Sequence, residues 1–106
     1  MATVVHIINA NLTWKYTRAR GGNYVAVCDA LKLTLQAKTF SELMEDINFT
    51  LDALLKDLLS SNELDSFLRE RGWSAAGNIP QRNVRFDVPF AVMAMRAHDQ
   101  QRDVHQ

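Results

Sequence analysis

The chain has a single cysteine, Cys28, which excludes an internal disulfide framework and any multi-cysteine metal site. Its three histidines, His6, His98 and His105, lie far apart, and a zinc set needs ligands at paired spacing. Net charge is zero, which argues against generic nucleic-acid binding through phosphate neutralisation. No apolar run approaches the ~20 residues that would span a bilayer, and residues 1–10 carry no charged start of a secretory signal. No membrane association is expected, and the expected compartment is the cytoplasm. Glycine is also scarce. Gly21-Gly22 reads as a turn, and nothing resembles a phosphate-cradling loop.

Catalytic groupings are equally thin. A Cys28 nucleophile would need a histidine beside it in space, yet Cys28 closes an apolar strand pattern and reads as an inert buried thiol. Asp29, Glu42, Glu45, Asp46 and Asp87 invite comparison with a two-metal carboxylate site. Glu42, however, has a helix-capping position, and the first strand pattern, residues 3–17, supplies no acid. The expectation is a protein that is not an enzyme and carries no cofactor or metal.

What is present is an ordinary globular composition, 47% hydrophobic and 23% charged over 106 residues. That length suits one domain, which buries roughly 60–70% of its unfolded surface without staples. We assign it residues 1–97, with 98–106 as a frayed polar tail.

The chain is organised around a helix over residues 39–59. Thr39 followed by Glu42 is a capping-box pair, in which the Thr hydroxyl accepts from the backbone N–H three residues on and Glu42 reaches back. Phe40, Leu43, Met44, Ile47, Leu51, Leu54, Leu55 and Leu58 recur at three- and four-residue steps and so share one face. Ser60 with Glu63 repeats the capping spacing, which predicts a short second helix over about 62–71. Gly72 suits the left-handed residue that ends it, with Trp73 folding back on Leu68 as a structural lid.

Strand patterns flank the helices. The run Val4 to Ile8 is apolar except for His6, and Leu12, Trp14 and Tyr16 alternate with Thr13, Lys15 and Thr17. Asn9-Ala10-Asn11 is the weak point between them, so this region is one strand or two. Residues 3–9 pair either within the sheet or between subunits. Tyr24 to Cys28 is nearly unbroken apolar, as in a strand covered on both faces, and Leu31 to Ala37 alternates. Beyond a loop over residues 74–82, Val84, Phe86, Val88, Phe90 and Val92 alternate with polar or small residues. Pro89 lacks an N–H, placing this strand at a sheet edge or bulge. We prefer strand to helix for residues 90–96. The expected fold class is α+β: β-β-β-α(-α)-β, an antiparallel sheet with the long helix on one face.

Charge is uneven along the chain. Residues 1–38 carry five basic and one acidic side chain, whereas residues 39–71 carry three basic and eight acidic. The simple reading is solvated faces; the sharper one is an acidic helix surface that meets a basic partner. One side chain fits neither pattern. Phe49 lies half a turn from the apolar stripe at ~100° per residue, among Glu45, Asp52 and Lys56. Such an aromatic is either covered by the loop over 74–82 or used against a second copy or another protein. Phe49, Glu45, Asp52, Lys56 and Pro89 are therefore the candidate contact residues.

The stretch Gly22-Asn23-Tyr24-Val25-Ala26-Val27-Cys28-Asp29-Ala30-Leu31, continuing through Leu35-Gln36-Ala37-Lys38-Thr39-Phe40-Ser41-Glu42-Leu43, resembles the HicB family of antitoxin-type proteins. The likeness covers about residues 12–59. It implies a degenerate RNase H-like domain that neutralises a small basic, mRNA-cleaving HicA-type toxin. Ala37-Lys38 stands where the family has Gly-Asp, and the family's Leu-Pro-Gly-Cys turn is absent. Residues 74–106 are too short and strand-like for the family's C-terminal DNA-binding segment, so no direct DNA binding is expected. The alternative is a stand-alone oligomeric module that pairs with itself as a homodimer or larger assembly, through the Pro89 edge or the Phe49 face.

Overall fold

Residues 3–95 are described by the computed structural model, so the tail 98–106, His98, His105 and the end of the 90–96 segment lie outside the described residues. The weak point at Asn9-Ala10-Asn11 is a corner. It divides the N-terminal ribbon into β1 (Val4–Asn9) and β2 (Thr13–Arg18), followed by β3 (Tyr24–Cys28) and β4 (Leu33–Ala37). Helices α1 (Phe40–Ser60) and α2 (Leu64–Arg71) come next, then β5 (Ser74–Ala75), β6 (Val84–Asp87) and β7 (Ala91–Ala94).

The last ribbon breaks at the same height as the first, because Pro89 in Val88-Pro89-Phe90 cannot donate to a ladder. Two sheets result, ordered β5-β1-β6 and β4-β3-β2-β7. β6 runs parallel to β1 from Val4↔Val84 to Ile7↔Asp87, and β7 runs parallel to β2 from Thr13↔Ala91 to Tyr16↔Ala94. This corrects the expected single antiparallel sheet: the fold is α+β with mixed sheets. The intervening helices return the chain to the end where it started, so its final ribbon enters alongside the first in the same direction. The alternation in that ribbon survives the break, since Val84, Phe86 and Val88 are buried and Phe90 and Val92 pack on the core. β6 and β7 each lie at a sheet edge, as Pro89 requires.

α1 lies across both sheets, packing on β6 as well as on β3 and β4. Its buried residues are Leu43, Ile47, Leu51 and Leu55, one per turn, facing Trp14, Ile8 and Phe86 in a common core. Phe40, 37% exposed, closes the sheet end by packing edge-on to Tyr16 at 5.1 Å and Tyr24 at 6.0 Å. β3 departs from expectation. Ala26 and Cys28 are buried, but Val25 and Val27 point to a face that remains partly open, because the helices stand on the other side.

The helix ends follow local chemistry. Thr39 Oγ1 accepts from the Glu42 N–H at 3.0 Å, whereas the expected return bond from the Glu42 carboxylate is absent among the described residues. Thr39→Ala should therefore cost about 1 kcal/mol in urea unfolding, with Thr39→Ser close to wild type. Gly72, at φ 71°, ends α2: its N–H donates to the Arg69 carbonyl and that of Trp73 to the Leu68 carbonyl. This is the stop motif read from the sequence. The expected Ser60–Glu63 capping box is absent. Instead α1 stops the same way, with Asn62 left-handed at φ 61° and the Glu63 N–H donating to the Leu58 carbonyl at 2.8 Å. Asn serves there because it tolerates the left-handed region. Ser61 Oγ donates to Glu63 Oε2, leaving Glu63 with no capping bond to α2.

Candidate protein-binding face of the long helix

Leu43, Ile47, Leu51 and Leu55 of the α1 stripe are buried in the core, with Met44 and Leu58 packed beside them, whereas Leu54, expected on the same face, is half-buried outside that cluster; the opposite side of the helix faces solvent. α1 carries Glu42, Glu45, Asp46, Asp52 and Asp57 against one base, Lys56. Phe49 stands on that side at 74% exposure, the most open large apolar side chain among the described residues. Glu45, one turn before it, is also exposed.

Of the coverings for Phe49, the segment expected as a loop over 74–82 is excluded; its first two residues are β5, paired with β1 rather than looped. Ala75, Gly77, Asn78 and Ile79 instead wall a shallow cleft of about 810 Å³ with α2 and Leu59. Trp73 forms part of that wall, 8% exposed and edge-on to Phe67 at 5.8 Å. Pro89 is exposed at the β6–β7 corner, on a different element from Phe49.

Asp52 and Lys56 are only partly free for contact. Asp52 Oδ1 accepts the Phe86 backbone N–H at 2.7 Å, and Oδ2 pairs with Lys56 Nζ at 2.9 Å. Asp52 thus ties α1 to the edge of β6, which the sequence pattern did not indicate. The available signal was its position beside Leu51, at the border of the buried stripe, with Lys56 four residues on.

No group of three or more His, Cys, Asp or Glu among the described residues is placed to hold a metal ion. Cys28 is fully buried. No helix among the described residues is long and apolar enough to cross a membrane. What α1 offers is a surface: an exposed aromatic ring bordered by carboxylates. Comparison with known protein families, curated proteins and solved structures finds no match to this chain.

Proposed function

We propose that this protein is a non-catalytic binding module that docks a small basic protein on the outer face of α1, in the manner of a HicB antitoxin neutralising a HicA-type toxin. The observation that carries the reading is Phe49, 74% exposed on a helix with five acidic residues and one basic. Leaving a phenylalanine in water gives the fold nothing, whereas inserted into a partner's pocket it is a desolvated anchor of the kind that dominates interfaces. Glu42, Glu45 and Asp46 around it attract a cationic surface and speed encounter. The HicB-like stretch supports the same reading, since that family's partners are small and basic.

The test is co-elution on size exclusion with light scattering, using a HicA-type toxin from a gene adjacent to this one. A 1:1 or higher complex is expected, together with loss of the toxin's mRNA cleavage. Phe49→Asp should weaken the complex at least tenfold while leaving the thermal midpoint within a few degrees, because the side chain touches no core. Absence of a complex, or a complex indifferent to Phe49→Asp, overturns the reading.

A further inference from the structure

We propose that a second copy of this chain docks on the far face of the β1–β6 ribbon, forming a two-fold dimer on the side away from α1. Side chains alternate across the pleat. Val84 and Phe86 turn inward to the core, so Arg85 and Asp87 turn outward. The parallel register sets Val5 beside Arg85 and Ile7 beside Asp87 on that face. Val5 is 46% exposed and Ile7 61%, so two β-branched side chains stand in water at the centre of a strand. Neither Arg85 nor Asp87 makes an ion pair among the described residues.

These four residues are self-complementary. A two-fold contact must match a patch with itself, residue i meeting j and j meeting i. An axis lying in the interface, perpendicular to the strands at the level of the His6–Phe86 pair, stacks each strand antiparallel on its copy. Arg85 then meets the partner's Asp87, Asp87 meets the partner's Arg85, and Val5 meets the partner's Ile7. One axis satisfies both the charged and the apolar pairs. An axis parallel to the strands and between them would instead set Arg85 on the partner's Val5 and Asp87 on the partner's Ile7, burying each charge against an apolar side chain. The α1 face fails the same requirement, since a two-fold contact there would press carboxylates against carboxylates. Self-association therefore belongs to the sheet side, and it leaves Phe49 free for the partner proposed above. The face is small, which places the dimer among weak, reversible ones.

Analytical ultracentrifugation of the full chain tests this by charge exchange. Wild type is expected to dimerise reversibly. Arg85→Asp makes the patch wholly acidic and Asp87→Arg makes it wholly basic, so each alone should raise the dimer dissociation constant at least tenfold. An equimolar mixture of the two should dimerise again as a heterodimer, a rescue that damage to the fold cannot mimic. If either variant does not fold, Ile7→Thr, which keeps the β-branched shape, should raise the constant about tenfold instead. A wild type that stays monomeric, single variants that dimerise like wild type, or a mixture that shows no recovery each overturns the proposal. Because this readout needs no toxin, its failure is distinguishable from failure of the α1 reading.

Discussion

Replacing Trp14 with alanine should remove about 3–5 kcal/mol of stability, the range for deleting a large aromatic from a packed core. Trp14 is fully buried in β2, a strand flanked by β3 and β7 and paired with Val92 in the latter. Nothing in that position can collapse without separating the sheet from α1. A domain of this size is held by about 5–15 kcal/mol in total, so the variant should be marginal or unfolded at room temperature in urea titration. Trp14→Phe should lose less than half as much. The indole Nε1 has no protein acceptor among the described residues, and a buried donor without a partner costs about 1–3 kcal/mol. Phenylalanine gives up volume but removes that donor. Equal losses in the two variants would mean that ring volume alone sets the effect. A loss under 1 kcal/mol for Trp14→Ala would remove Trp14 from the core.

The parts of the fold legible in the sequence were those fixed by neighbours in sequence. The α1 stripe, the Thr39 cap and the Gly72 stop depend on spacings of three to five residues, and all three were readable. The corner was half legible: Asn9-Ala10-Asn11 and Pro89 each marked a weak point. That they lie at one height, and split the strands between two sheets, is set by pairing over some eighty positions. The parallel sense of β1 with β6 was invisible for the same reason, since alternation reports which face is buried but not strand direction. The stop at Asn62 is hidden behind the Ser60–Glu63 capping spacing, because Ser and Asn favour helix ends of both kinds.

The same division holds for the surface. The phase of Phe49 on α1 is enough to place it opposite the apolar stripe. The exposure of Val5 and Ile7 is not legible in that way, because an apolar run does not report how many of its faces are covered, and only the placement of both helices on one side leaves them in water. Val25 and Val27, in the run whose pattern reads as covered on both faces, stay partly open for the same reason. In each case the helix period is a local measurement, while the number of layers over a sheet is not.

Asp52→Ala should cost about 2 kcal/mol, and the ordering of three variants identifies why. Phe86 lies in the outermost strand of its sheet, paired on one side with β1. Its N–H turns to Asp52 Oδ1 at 2.7 Å in a part-buried position. A hydrogen bond to a charged acceptor contributes about 1.5–3 kcal/mol, and its removal leaves the amide unsatisfied. Asp52→Asn keeps an oxygen within reach and should lose about half as much. Lys56→Ala should lose less than about 1 kcal/mol, because its ion pair with Asp52 is the i,i+4 kind at a side chain 47% exposed. Urea unfolding of the three separates the bond from the ion pair, and a Lys56→Ala loss equal to that of Asp52→Ala would assign the effect to the pair instead. The consequence reaches the binding face. A charge removed at Asp52 loosens α1 from β6 as well as altering its surface, so a weakened complex in that variant would not locate the interface. Phe49, 74% exposed and committed to no core contact, is the position where loss of binding and loss of fold come apart.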